Sequence, residues 1–309
     1  MFGLRLLVVG TAREFWADRV LGLSAEAAFW ALQSLPPLLL AVMGSIGFLG
    51  GLLGPDTVTD VQRVILAGAR RVLAPNAVSN VVAPAVSGVL EAGRLDVVSI
   101  GFVLSLWSGS TAMSTYVNTI TIAYDLRDYR SAIRSRLLAL GLYLGAVVVG
   151  IVILPALVLG PTLIVRLSPA AARASTRSLT TILYWPTVVC GCLALLATLY
   201  HLAVPVRTNW WRALPGSILA MICWLVGSIG LRWYVGLVVR ASSAYSSLSA
   251  TIAVLLFLYV TALAVLLGAE VNAEIDRLWP SPTTAAARER GKLARMASGA
   301  RRWVPTLRE

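Results

Sequence analysis

Charged residues are scarce in this sequence. Only 13% of the 309 residues are Asp, Glu, Lys or Arg, whereas 58% are hydrophobic, and a soluble domain carries about 25% charged residues. The mean hydropathy is +0.81. The few charges fall in clusters and leave long uncharged runs between them. This pattern excludes a soluble globular protein and predicts an integral membrane protein.

Histidine and cysteine are also rare, which restricts the possible chemistry. The sequence has one histidine, His201, whereas a zinc-protease helix needs two. A histidine-assisted serine nucleophile would have to depend on His201. All three cysteines lie inside apolar runs, so we interpret them as buried thiols without disulfides. The sequence holds no phosphate loop and no dinucleotide motif. It therefore predicts a protein that is not an enzyme, with no catalytic residues, no cofactor and no metal site.

Six uncharged runs are long enough to span a bilayer, because an α-helix rises 1.5 Å per residue and roughly 20 apolar residues cross the hydrocarbon. Each run has at least 19 residues, and they are 27–55, 97–124, 137–165, 178–206, 213–231 and 241–269. The run 72–90 is rejected because its prolines and asparagines would put breaks and polar groups into lipid. The predicted fold is an all-α polytopic membrane protein, a bundle of six transmembrane helices kinked by prolines.

Two further segments predict amphipathic helices that lie on the membrane surface. Residues 1–26 place Phe2, Phe15 and Trp16 at the interface. The connection 56–96 carries an apolar helix face opposite polar residues, and a partly re-entrant path remains an alternative for it.

The distribution of Arg and Lys predicts the orientation. With the N-terminus in the cytoplasm, six spans place 17 of these residues on the cytoplasmic side and 9 on the other, so both termini are expected in the cytoplasm of a bacterial inner membrane. The chain then divides into a cytoplasmic segment 1–26, a membrane domain 27–276 with the extracytoplasmic loop 56–96, and a basic cytoplasmic tail 277–309. Because the tail directly follows a span, anionic lipid headgroups are its expected partner, and nucleic acid is not.

A polar stripe is expected along the second span. Its members recur at steps of three or four residues: Ser105, Ser108, Thr111, Thr115 and Asn118. Lipid offers these groups no hydrogen-bond partner, so the stripe is predicted to face the protein interior. Two interpretations stay open, namely hydroxyls that only hold helices together and a polar substrate pathway.

Gln33 is a candidate pathway residue because it stands just before Pro36 and Pro37 in the first span. Proline frees a carbonyl and kinks a helix. Broken helices form the substrate sites of many transporters, but proline also occurs in spanning helices without such a role.

Glu270 is a candidate gating residue, since it follows an uncharged run and an ionised carboxylate below the headgroups is unfavourable. It is expected to pair with an arginine or to hold a proton. The candidates on the same side are Arg134, Arg136 and Arg212, and Glu26 enters the membrane at a similar level. Glu274 has a nearer partner in Arg277 and is interpreted as a surface pair.

Glycines four residues apart indicate close helix packing. The pairs are Gly47 with Gly51, Gly50 with Gly54, and Gly141 with Gly145. Such pairs serve internal packing and dimerisation alike, so a homo-oligomer remains an alternative.

Several strings resemble the YihY/BrkB family of bacterial inner-membrane proteins. They are AAFWALQSLPPL at 27–38, LPG at 214–216 with Trp224, and Leu258-Tyr259 followed by LGAEVN at 267–272. The chain departs from the family pattern at Tyr245-Ser246-Ser247, at Phe257 and at Thr121. The resemblance implies six helices with both ends cytoplasmic, and envelope or lipid transport without a settled activity. It also brings a ribonuclease label, which the lack of a soluble catalytic domain contradicts.

Two functional hypotheses follow. The first is a transporter of a lipid-like or anionic amphiphilic substrate. The second is a non-transporting envelope scaffold or assembly factor, whose polar residues only tie helices together.

Overall fold

The computed structural model describes residues 2–53, 95–127, 129–167, 173–241 and 246–302. Throughout these ranges the regular elements are helices, as the sequence predicts. They are α1 (Phe2–Ala17), α2 (Val20–Leu53), α3 (Leu95–Ala123), α4 (Ala132–Leu167), α5 (Arg173–Ala203), α6 (Leu214–Ala241), α7 (Ser246–Leu278) and α8 (Pro282–Arg302), with a 3₁₀ turn at Trp210–Ala213 before α6.

Four of the described helices contain a stretch long and apolar enough to cross a membrane. The stretches are Ala132–Ile151, Ile182–Ala203, Trp210–Gly236 and Thr251–Leu278. Few of their side chains are buried in the protein, which fits helices whose outer faces meet lipid. The runs 27–55 and 97–124 also fold as the long helices α2 and α3. A count of six spans stays a prediction, and most of the loop 56–96 lies outside the described residues.

The expected boundary between the N-terminal segment and the membrane domain, at residue 26, does not coincide with the end of a helix. Helix α2 begins at Val20, separated from α1 by two residues only. Arg19 turns the chain, with a φ of 55°, a conformation uncommon for a non-glycine residue. Helix α1 packs on α7, since a Cβ added at Gly10 would overlap the Glu274 side chain. One face of α1 is therefore covered by protein, while Trp16 is 69% exposed.

Prolines do not interrupt the helices that contain them. Helix α2 runs through Pro36 and Pro37, and α5 runs through Pro186. The predicted kinks stay a prediction, but proline still removes the backbone donor for the carbonyl four residues earlier.

The chain separates into two compact units. One comprises residues 1–29 and 111–309, and the other comprises residues 30–110. In the first unit the core gathers where α3 and α5 end and α7 approaches its C-terminus, around Ile120, Tyr200 and Ala269. Here α6 and α7 lie in close contact, because a Cβ at Gly216 would overlap the Gly268 carbonyl and one at Gly268 would overlap the Gly216 carbonyl.

The close glycine packing thus falls at positions other than the expected pairs. Among the described residues, no atom outside the neighbouring backbone of α4 lies within 4 Å of a Cβ built at Gly141 or Gly145, so these positions are open in the described part of the chain. The side chains around Gly47, Gly51 and their neighbours lie outside the described residues.

Cys190 is exposed, which corrects the expectation of three buried thiols.

The first part of the expected tail belongs to the packed unit. Ser281, Thr284 and Ala287 are buried, and Arg288 forms an ion pair with Asp276 at 3.0 Å. A basic composition alone did not reveal this docking, because it depends on a few small residues spaced three apart, one just before α8 and two within it.

Candidate functional site

A cavity of about 590 Å³ lies within the unit of residues 30–110, a size typical of ligand pockets. Its lining comes from α2 and α3 and is mainly apolar: Trp30, Gln33, Pro36, Pro37, Leu40, Ile100, Gly101, Leu104, Trp107 and Ser108. Gly101 lets α3 approach α2, since its Cβ would lie 3.1 Å from the Pro37 carbonyl oxygen. The cavity could hold an elongated apolar group.

Polar atoms occur at a few points of this lining. Gln33 is exposed and Ser108 is buried, with its hydroxyl donating to the Leu104 carbonyl at 2.8 Å. Pro36 and Pro37 remove the backbone donors that would bond to the carbonyls of residues 32 and 33. An apolar cavity with nearby acceptors and one carboxamide suits an amphiphile better than an ion.

A polar chain in the other unit brings together four of the candidate residues. The Thr115 hydroxyl lies 3.1 Å from Glu26 Oε1 and 3.3 Å from the Thr111 carbonyl oxygen. Arg136 donates to Thr111 Oγ1 at 2.9 Å. The chain joins α2, α3 and α4, with Glu26 exposed at one end and Arg136 half-buried at the other.

The predicted inward orientation of the helix stripe is wrong for Asn118. Ser105, Ser108 and Thr115 are buried, but Asn118 is exposed and donates only to Ser114 Oγ, at 3.4 Å. The reason is geometric: each three-residue step falls about 60° short of a full turn of 3.6 residues, so the stripe winds around the helix.

Two buried hydroxyls on α3 are not part of the polar stripe that the sequence predicts. Thr119 and Thr121 each donate to the carbonyl four residues earlier, at 2.7 Å. Such internal bonds satisfy a hydroxyl without any partner helix. They favour a structural role for much of the polar content of α3.

Glu270 is buried to 1% exposure on α7. Neither of its carboxylate oxygens has a hydrogen-bond partner among the residues that the structure describes. The expected pairing with an arginine is therefore wrong for the three candidates: Arg212 bonds to Asp276 at 2.9 Å, Arg136 bonds to Thr111, and Arg134 is exposed. The other expected outcome, a carboxyl that holds a proton, stays a prediction.

Arg277 is the centre of an ionic cluster one turn beyond Glu274. Its guanidinium lies 3.2 Å from Glu274, 3.3 Å from Glu14 and 3.2 Å from Asp125. It also donates to the Ala123 carbonyl at 3.0 Å. The pair of Glu274 and Arg277 is confirmed, but Glu274 is only 9% exposed, so the pair is not on the surface. Tertiary packing of α1 over this face buries it.

A second ionic cluster, centred on Asp276, was not expected from the sequence. Arg212 and Arg288 approach its carboxylate at 2.9 and 3.0 Å, and the Ser281 amide donates to it at 3.3 Å. These partners are separated widely in sequence, so no local spacing could have indicated them. The cluster fixes α8 and the start of α6 on the end of α7.

Asp18 lies between α1 and α2, outside the apolar stretches. Burial raises the pKa of its carboxyl above the ordinary value of 3.8, and Arg127, 3.7 Å away, offsets part of that effect. Desolvation therefore outweighs this partly exposed ion pair.

His201 lines a small cavity with Tyr124, Arg212 and Asp276 that has room for about one water molecule, roughly 20 Å³. Its Nδ1 atom is buried, with no hydrogen-bond partner among the described residues. Within the described ranges, no group of three or more His, Cys, Asp or Glu side chains could hold a metal ion. The prediction that the protein is not an enzyme stays a prediction.

Comparison with known proteins gives the family. The sequence profile described as Virulence factor BrkB matches residues 11–292. The chain belongs to this family. The putative ribonuclease-like protein YfkH of Bacillus subtilis (strain 168) is 28% identical to the chain over 256 residues, which cover 82% of this chain and 89% of YfkH. No solved structure matches the chain.

Family membership confirms the resemblance carried by the strings at 27–38, 214–216 and 267–272, and with the apolar helices it identifies a multi-pass membrane protein. The ribonuclease-like name is that of YfkH.

Proposed function

We propose that this BrkB-family protein transports a lipid-like or anionic amphiphilic substrate in the bacterial inner membrane, with both termini in the cytoplasm. The observation that carries the proposal is the cavity between α2 and α3. Its apolar lining suits an acyl chain, and Gln33 provides hydrogen-bonding capacity at the same site.

The charge of the protein supports an anionic headgroup. The net charge is +12, and Arg5, Arg13, Arg19 and Arg290 are exposed on described helices and turns. If both termini are cytoplasmic, these residues lie on the side where anionic lipids attract basic side chains. Membrane lipids are therefore the proposed partners, and the open Gly141 and Gly145 positions leave room for a homo-oligomer.

The alternative function is a scaffold or assembly factor that moves no substrate. It is favoured by the hydroxyls of Thr119 and Thr121, which bond to their own helix. The polar chain from Glu26 to Arg136 has the same structural use, because it ties three helices together.

Reconstitution into vesicles separates the two functions. The purified chain is incorporated into vesicles that contain a fluorescent anionic phospholipid, and movement between leaflets is followed by quenching from outside. Leu104→Trp fills the cavity and is expected to slow movement at least tenfold. Val103→Trp is the matched control, because Val103 is the neighbouring residue, is 63% exposed and does not line the cavity.

If the protein is a transporter, the wild type and Val103→Trp are expected to move the lipid between leaflets at similar rates, and Leu104→Trp at least tenfold more slowly. If the wild type moves no more lipid than protein-free vesicles do, transport of that lipid is wrong. If both tryptophan variants are fully active, the cavity is not the pathway.

A further inference from the structure

The unpartnered carboxyl of Glu270 stands out among the polar residues at the C-terminal end of α7. Its neighbours along the helix have partners: Asn272 bonds to α6, Glu274 forms an ion pair with Arg277, and Asp276 forms ion pairs with two arginines. Glu270 is more deeply buried than Glu274 or Asp276, and both of its oxygens lack a partner among the described residues. An ionised carboxylate in such a place is strongly unfavourable.

The surroundings of Glu270 are acidic. The charged groups that act on it are Asp18, Glu14 and Asp125, opposed by Arg277. Arg277 is already shared among Glu14, Asp125 and Glu274, so little of its positive charge is left for Glu270. These carboxylates come from α1, from the turn before α2 and from the turn after α3.

Among the described residues, the other arginines at this end of α7 bring no free positive charge to Glu270, because Arg127 already pairs with Asp18 at 3.7 Å. Arg212, which precedes α6, and Arg288 of α8 are both engaged by Asp276. From α5, the Tyr200 hydroxyl donates to the Val265 carbonyl at 2.7 Å. The local balance of the described groups is therefore negative and favours uptake of a cation.

A proton is the cation that fits this arrangement. Within the described residues, no cluster of three or more His, Cys, Asp or Glu side chains could hold a metal ion. A second unsatisfied group lies on the facing helix, because Thr11 Oγ1 is buried and without a partner in the described structure. Thr11 follows Gly10, where an added Cβ would overlap the side chain of Glu274, and Glu274 lies one helical turn from Glu270.

We propose that Glu270 is the binding site of an exchangeable proton, and that occupancy of this site controls the docking of α1 on α7. With the proton bound, a neutral carboxyl lies beneath α1. When the proton leaves, a new negative charge faces Glu14 and Asp18, and it competes for Arg277, which holds α1 through Glu14. The like charges then weaken the contact between the two helices. This proposal does not depend on lipid transport.

Modification by a hydrophobic carbodiimide tests the proton site directly. The reagent attacks protonated carboxyl groups in apolar surroundings, so the full-length protein in detergent is treated over a range of pH and mapped by mass spectrometry. Glu270 is expected to be modified at neutral pH and progressively less as the pH rises. Glu274, one turn away and paired, is the internal control and is expected to stay unmodified.

Three results would overturn the proton site. One is a wild-type protein whose Glu270 is not modified at neutral or lower pH. Another is modification of Glu274 to the same extent. The third is protection of Glu270 by sodium at constant ionic strength, which would show a metal cation in place of the proton.

Limited trypsin digestion tests the coupling to α1. The side chains of Arg13 and Arg19 are exposed, but trypsin needs locally unfolded backbone around them, and α1 is expected to unfold more readily once it leaves α7. The wild-type cleavage rate at these positions, divided by the rate for Glu270→Gln at the same pH, is expected to rise at least fivefold from pH 6 to pH 9. Gln keeps the shape and neutrality of the protonated side chain. A ratio that does not change with pH would disprove the coupling, whereas the wild-type carbodiimide experiment tests the proton site even if the variant fails to fold.

Discussion

Asn272 of α7 bonds to the first turn of α6 at Gly216. Its side-chain oxygen accepts from the Gly216 amide at 2.8 Å, and its side-chain nitrogen donates to the Ala213 carbonyl at 3.0 Å. Amides in the first turn of a helix have no partner within that helix. Asn272 therefore caps α6 from a neighbouring helix, at the point where Gly216 and Gly268 bring the two backbones together.

Replacement of Asn272 by Leu is expected to destabilise the protein by about 2–4 kcal/mol, because two buried backbone groups lose their partner. Asn272→Asp keeps the acceptor for the Gly216 amide but loses the donor and puts a carboxyl into a buried site, so a loss of similar size is expected. Asn118→Leu is the matched control, since Asn118 is exposed. Thermal unfolding in detergent measures all three, and equal effects at positions 118 and 272 would contradict the capping role.

Gly216→Ala is expected to lower stability by about 1–3 kcal/mol, because the added methyl would meet the Gly268 carbonyl and Asn272. Gly230→Ala lies on the same helix, and in the described structure no atom outside the neighbouring helix backbone lies within 4 Å of the new Cβ. This control is expected to be neutral or to stabilise the helix by up to about 1 kcal/mol. Thermal unfolding of both variants in one detergent gives the comparison. A Gly216→Ala variant as stable as the wild type would show that α6 and α7 can move apart without loss of stability.

The orientation of α3 can be checked by cysteine labelling in a chain whose three native cysteines are replaced by Ala. Asn118→Cys is expected to react readily with a thiol reagent, because position 118 is exposed. Val117→Cys is expected to be protected, since Val117 is 0% exposed. The reverse pattern would restore the inward orientation that the sequence suggested for Asn118.

Asp18→Asn is expected to stabilise the protein more as the pH rises. The raised pKa of Asp18 in the folded state means that the folded protein binds its proton more tightly than the unfolded chain does. Stability is therefore lost as the pH rises from the ordinary value of 3.8 through the folded value, and the substitution removes this loss. Unfolding temperatures of both proteins from pH 4 to 8 test it. A variant that is less stable at pH 7 would show that the pair with Arg127 outweighs burial.

Reporter fusions test the predicted topology. Fusions after Arg130 and after Asn76 are expected to give opposite signals, with Arg130 in the cytoplasm, because the positive-inside rule assigns 125–136 and 56–96 to opposite sides. A fusion after Gly291, in the expected cytoplasmic tail, is the control for the cytoplasmic signal. Signals on the same side for Arg130 and Asn76 would exclude the count of six spans.

The sequence by itself determined the class of this protein and the existence of its long helices. Uncharged runs of at least 19 residues cannot remain in water as single exposed helices, and in lipid the helix satisfies every backbone group within the segment. Local spacing was also sufficient for the pair of Glu274 and Arg277, because residues three apart on a helix are neighbours whatever surrounds them. The strings at 27–38, 214–216 and 267–272 were enough to indicate the family.

Only the tertiary structure decided which polar groups meet. The partners of Asp276 and Asn272 lie on other helices, 64 and 56 residues away for Arg212 and Gly216, and no periodicity encodes such distances. The same is true of Glu270: its sequence position indicated burial, but whether an arginine reached it depended on Asp276, Glu14 and Asp125 engaging the nearby arginines. Hydrophobic runs fix helices one at a time, whereas hydrogen bonds and ion pairs act over about 3 Å and depend on how those helices pack.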